Sequence, residues 1–121
     1  MLNFGPFKSL STREFKQKKE EGYAIIDIQR AEEWEYYGII EGSHKITFFD
    51  EFGEFDLESF MEAFTKVVTN NEQPFILVCA HANRTKTLGE LMGAQLGYKN
   101  VYELDGGINW GWIDQGLETV R

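Results

Sequence analysis

Apolar and polar positions along the chain fall into two recurring forms: short unbroken apolar runs, and longer stretches with apolar residues at helical spacing. The runs YAIIDI (Tyr23 to Ile28) and PFILVC (Pro74 to Cys79) are short, rich in β-branched residues and nearly continuous. That form predicts parallel strands covered on both faces. Weaker runs predict a strand near Ser43 to Thr47 and another over Asn100 to Glu103. Ser11-Thr12-Arg13-Glu14 sets a side-chain acceptor three residues ahead of a carboxylate, which predicts a helix opened by a capping box and ended by Gly22. A helical turn is expected at Ala31 to Tyr36. From about Asp56, the residues Leu57, Phe60, Met61, Phe64, Val67 and Val68 recur on one helical face. Further helices are predicted from about Thr85 to Leu96, with a stop at Gly97, and after the Gly106-Gly107 turn. Gly89 and Gly93, four apart, predict that the helix after Cys79 sits close to the sheet. Strands alternating with helices define an α/β chain: one domain over residues 1–121, an open, mainly parallel sheet of about five strands with helices on both faces. Ligands of such sheets bind beyond the carboxyl ends of the strands, and Cys79 lies at one of those ends.

Composition narrows the chemistry. The 121 residues are 42% hydrophobic and 15% aromatic, enough for a core that buries roughly two thirds of the unfolded surface. The formal charge of -8 argues against nucleic acid, whose phosphates require clustered Lys and Arg. No stretch approaches the roughly 20 apolar residues of a membrane span, and MLNFGPFKSL lacks the form of a signal peptide. The chain reads as cytoplasmic, or as periplasmic if a targeting segment was once removed ahead of Met1. No cofactor is called for, and with two histidines far apart in sequence no metal site is expected. The acidic segment from Glu51 through Glu62 reads as a solvated face, with a docking surface for a basic partner as the alternative.

A single cysteine can form neither an internal disulfide nor a Cys-rich zinc site, so its value is burial or reactivity. The segment CAHANRT places Cys79 between a buried strand and a helix start. There the amides of the first turn lack helical partners and form an anion cradle. The helix dipole, Arg84 and in addition Lys86 and His81 favour a thiolate. The competing reading is an inert cysteine at a strand end.

The Cys-x-x-x-x-Arg-Thr loop resembles the active-site loop of the rhodanese family, whose common single-domain form is C-R-x-G-x-R-S. Cys79, Asn83, Arg84 and Thr85 occupy matching places. Upstream, DIQRAEEW (Asp27 to Trp34) and GIIEGS (Gly38 to Ser43) resemble two family signatures; downstream, GYKNVYELDGGINWGW (Gly97 to Trp112) resembles its closing segment. The resemblance implies a double displacement. Cys79 takes sulfane sulfur from thiosulfate, polysulfide or a persulfide, holds it as a persulfide, and passes it to cyanide or a thiol, an acceptor protein being a further candidate. It implies no cofactor, and a substrate-binding loop of Ala80, His81, Ala82, Asn83, Arg84 and Thr85 whose amides hold the anionic sulfur. Phosphatases related to the family carry five residues between Cys and Arg; this chain has four.

Four positions depart from the family form. Ala80 replaces the usual basic residue, which removes a cation for anionic donors unless Lys86 or His81 replaces it. Ala82 stands where glycine supplies positive φ, at a cost of about 1–2 kcal/mol if that geometry persists. His81 is an addition: a thiolate stabiliser, a donor to the leaving group, or, as the better expectation, a solvated loop residue. Ile39 replaces a histidine. Arg84 has a second expected role, as a staple to Asp27 or Glu33. Trp34, Trp110 and Trp112 line a substrate mouth or, as the better expectation, pack the core and rim. The alternative to an enzyme is a rhodanese-fold sulfur carrier or protein-binding module.

Overall fold

The computed structural model describes residues 6–121. Its elements alternate: β1 (Phe7–Leu10), α1 (Thr12–Glu20), β2 (Ala24–Asp27), α2 (Ala31–Tyr37), β3 (His44–Lys45), α3 (Leu57–Phe64), β4 (Phe75–Val78), α4 (Arg84–Ala94), β5 (Val101–Leu104) and α5 (Gly107–Trp110), followed by a single 3-10 turn at Ile113–Gln115. The five strands pair in parallel in the order β1-β5-β4-β2-β3. The fold class expected from the alternation is the one found.

Side chains alternate across the sheet, so each strand feeds two cores. Phe75, Leu77 and Cys79 join Ile26, Val101, Phe60, Phe64, Leu88 and Met92 on the face covered by α3 and α4. Ile76 and Val78 join Ile25, Leu104, Phe15, Ile108 and Trp112 on the other face, under α1 and α5. Coverage on both faces explains why all four residues of β4 are buried and apolar. Phe64 anchors the first core, with ring centroids 5.5 Å from Phe60, 4.8 Å from Phe75 and 5.4 Å from Tyr98. Burying a side chain of this kind contributes about 2–3 kcal/mol.

The capping box at Ser11 and Glu14 forms as expected: Ser11 Oγ accepts from the Glu14 amide, and Glu14 accepts from the Ser11 amide. Asp56 caps α3 through the Ser59 amide. Three differences have local causes. The edge strand β1 lies in FKSL, whose apolar ends and polar middle show neither strand alternation nor a continuous run; pairing with β5 makes it a strand. Helix α3 stops at Phe64, with Thr65 as its C-cap, and Val68 reaches the core from the turn that follows. Helix α4 starts at Arg84, one residue early, because Asn83 Oδ1 accepts from the Arg84 amide. As its spacing suggested, α4 runs close to the sheet: a Cβ on Gly89 would meet the Phe7 ring at 2.3 Å. No helix among the described residues is long and apolar enough to cross a membrane.

Candidate active site

Parallel strands bring their carboxyl ends to one side of the sheet, and the loop from Cys79 to Asn83 rises there between β4 and α4. Helix α5 clamps its first residues: the Ile108 amide donates to the Cys79 carbonyl at 2.8 Å, and the Asn109 amide donates to the Ala80 carbonyl at 3.0 Å. The approach is close enough that a Cβ on Gly107 would lie 2.5 Å from the Ala80 carbonyl group, so this position tolerates only glycine. In a trans peptide the following N–H points opposite to the carbonyl. The clamp therefore turns the amides of Ala80 and His81 away from α5. Among the described residues, no backbone carbonyl takes the amides of Ala80, His81, Ala82 or Asn83. A loop with its carbonyls engaged and its amides unengaged is a site for negative charge.

Cys79 is fully buried. Its Sγ lies 3.8 Å from Asn83 Oδ1 and 3.7 Å from Thr85 Oγ1. The Thr85 hydroxyl donates its one proton to Glu103 Oε1 at 2.6 Å, so toward the sulfur it offers a lone pair and accepts the thiol proton. Glu103 is itself wholly buried; the β4–β5 register sets it beside Leu77, on the α4 face. Its other oxygen accepts from Lys86 Nζ, which also donates to the Ala82 carbonyl at 3.0 Å. The sequence reading missed Glu103. The signal was present as a lone carboxylate in the apolar run VYEL, which a buried strand holds only with a partner.

Arg84 takes the staple role. Its guanidinium donates to both oxygens of Glu33, at 2.8 and 2.7 Å, tying the start of α4 to α2. Burial works against the Arg84 charge, but the Glu33 hydrogen bonds and charge, with smaller help from Cys79 and Asp27, outweigh it and raise its pKa. Burial likewise opposes ionised Glu33, and the Arg84 bonds outweigh it to hold that carboxyl below the ordinary range. Asp27 behaves differently. Burial pushes its pKa up to about 6, against the pull of donated hydrogen bonds from the Gln29 amide, the Trp34 indole and the Gln29 side chain.

The remaining candidates separate. Ala80 and Ala82 are buried, and Ala82 has φ 63°, the one positive φ outside glycine among the described residues. The strain expected from replacing glycine is therefore present. His81 is half-buried: its Nε2 lies 3.1 Å from Asn109 Nδ2, and its ring is 4.4 Å from Trp110 and 6.2 Å from Tyr37. Of the three tryptophans, Trp110 is 55% exposed at the rim, Trp112 is buried in the second core, and Trp34 braces Asp27. Lys86 does not replace the missing basic residue, because Glu103 holds it.

An open parallel sheet with a cysteine opening the loop between its central strand and a helix defines a class of α/β domains. A family model described as Rhodanese-like domain matches residues 11–113, and the chain belongs to that family. A search of curated proteins gives no match. Among solved structures, a rhodanese-like domain protein from Staphylococcus aureus is 23% identical with a TM-score of 0.65, the match covering 94% of this chain and 99% of that one. The polysulfide-sulfur transferase homodimer of Wolinella succinogenes is 19% identical with a TM-score of 0.70, over 93% of this chain and 77% of that one. The match to CoADR-RHD of Bacillus anthracis, at 20% identity and a TM-score of 0.65, covers 86% of this chain but 16% of that longer one. At these identities the likeness is one of fold.

Proposed function

We propose that the protein is a sulfurtransferase that takes sulfane sulfur onto Cys79 as a persulfide and passes it to a thiol, to cyanide or to an acceptor protein. The observation that carries this reading is the loop from Ala80 to Asn83, whose amides have no backbone acceptors, directly after the one cysteine. The thiolate attacks the outer sulfur of the donor, and the donor's inner group leaves with the bonding electrons. The amides then hold the persulfide anion as preorganised donors, at no cost of reorganisation. Before attack, the thiol proton passes to Thr85 Oγ1 as the Thr85 proton passes to Glu103 Oε1, which moves the negative charge from the carboxylate to the sulfur. Asn83 is exposed and lies against Sγ, so its side chain is the cover that swings aside to admit the donor.

The test is intact-mass measurement after brief exposure to polysulfide or an organic persulfide, with Cys79→Ser alongside. A gain of one sulfur atom that is lost on adding cyanide and absent in a folded Cys79→Ser is the expected result. One observation favours a second reading, a protein-binding module: the complete burial of Cys79. A folded protein whose thiol resists alkylation and takes up no sulfur from any donor would select that reading.

A further inference from the structure

The charges around Cys79 cancel in pairs. Arg84 is held by both oxygens of Glu33, and Lys86 by Glu103. Arg30, at the start of α2, is taken by Glu32 at 2.8 Å. Lys45 lies 5.3 Å from the centre of the Trp34 ring and belongs to β3, two strands from β4 and so about 10 Å away across the sheet. Ala80 contributes no charge, and His81 is engaged with Asn109. The Asp27 carboxyl stands behind these pairs, and the chain carries -8 in total. A dianion approaching the sulfur thus meets no unpaired cation among the described residues of the loop.

What surrounds the loop instead is a row of rings. Tyr36 packs edge-on against Tyr37 with centroids 4.8 Å apart, Tyr37 against His81 at 6.2 Å, and His81 against Trp110 at 4.4 Å. The row runs from α2 across the loop to α5, and its two ends are open to solvent, Tyr36 at 77% and Trp110 at 55%. An aromatic row that crosses the cysteine loop at His81 and is exposed at both ends offers a contact for an apolar ligand.

Taking sulfur uptake at Cys79 as its premise, we infer that the donor is a small organic persulfide, R–S–SH, whose R group is uncharged and apolar and rests on the Trp110–His81 rings. Thiosulfate is the disfavoured donor. In the step, the Cys79 thiolate bonds to the outer sulfur and the donor S–S bond breaks. The electron pair of that bond and the proton of the outer sulfur leave as the thiol R–SH, and Cys79 retains the sulfur as a persulfide anion. No oxidant or reductant enters.

The wild-type protein tests this by quenched mass measurement of the rate of sulfur uptake from benzyl persulfide and from thiosulfate, each at low and high salt. Thiosulfate uptake is expected to rise severalfold as ionic strength goes from about 0.01 M to about 0.5 M, because salt screens a repulsion, while benzyl persulfide uptake changes less than about twofold. Trp110→Ala, exposed and so safe for folding, is expected to lower the ratio of benzyl persulfide to thiosulfate uptake by about fivefold to tenfold. Thiosulfate uptake that falls with salt would reveal an attracting cation and overturn the inference while leaving sulfur transfer standing, as would an unchanged ratio in Trp110→Ala. Uptake from neither donor, with none from polysulfide either, would instead defeat the sulfurtransferase reading on which the inference rests.

Discussion

Two ion pairs flank the cysteine loop, and they differ in how their burial is shared. In Arg84–Glu33 both side chains are mostly covered yet partly open, at 18% and 15% exposure. In Lys86–Glu103 the lysine is 54% exposed and the carboxylate is wholly buried. The first pair is balanced, so losing either partner leaves a charge that water can still reach. The second is lopsided. Without Glu103 the lysine swings into solvent, whereas without Lys86 a buried carboxylate is stranded behind Thr85. Removing one partner of a buried pair costs mainly through the charge left behind.

The largest expected effect follows from that asymmetry. Lys86→Met should destabilise the fold by about 3 kcal/mol at pH 7, and Glu103→Gln by about 1–2 kcal/mol, since the amide still accepts from Thr85. Urea unfolding of both variants checks the order. Equal costs at pH 7 would mean the pair is not lopsided in energy.

Asp27, behind the balanced pair, sets the next effect. Its folded pKa, raised to about 6, exceeds the ordinary 3.8, so between these values the native state binds more protons than the unfolded state. Stability therefore falls as pH rises through this window and is level above it, a loss of roughly 2–3 kcal/mol from this group. Glu33, lowered by Arg84, works in the opposite direction: its stabilisation is present above the unfolded pKa and is lost as pH falls through the folded one. Asp27→Asn should remove the first slope and leave the second. A flip of the Gln29 amide would give its buried Oε1, which has no partner here, the new Asn donor. Thermal or urea unfolding across pH 3–8 separates the two slopes.

Glu33→Gln comes third. One bidentate charge-assisted contact becomes a neutral one, and Arg84 remains within reach of water, so about 1–2 kcal/mol is expected. Sulfur uptake should slow as well, because the start of α4 is no longer tied to α2.

These pairs also mark where sequence reading reaches and where it stops. Continuous apolar runs identified β2 and β4 because strands covered on both faces must be apolar throughout, and Ser11 and Asp56 identified two helix starts because capping is local chemistry. The loop from Cys79 to Thr85 was legible for the same reason: its residues are consecutive. Arg84's partner was narrowed to Asp27 or Glu33 but not chosen, since the choice depends on how α2 docks. Glu103 was missed because its partners lie 17 and 18 positions earlier in the chain, and only the β4–β5 register brings them together. Strand β1 was missed because an edge strand of four residues is defined by its neighbour rather than by its own pattern.

The smallest effect lies between the two pairs, at Ala82. Its φ of 63° places a Cβ where only glycine sits without penalty, a strain of about 1–2 kcal/mol. Glycine relieves that strain but gives the unfolded chain more freedom, about 0.5–1 kcal/mol in the other direction. Ala82→Gly should therefore stabilise the protein by roughly 0.5–1 kcal/mol, read as a higher urea midpoint with an unchanged slope. The effect on sulfur uptake separates two uses of the strain. If Ala82 only fills space under the loop, uptake follows stability and is unchanged at 25 °C. If its stiffness holds the amides of Ala82 and Asn83 toward Sγ, the glycine variant is more stable yet slower to load, and restoring alanine's rigidity rather than its stability is what restores the rate.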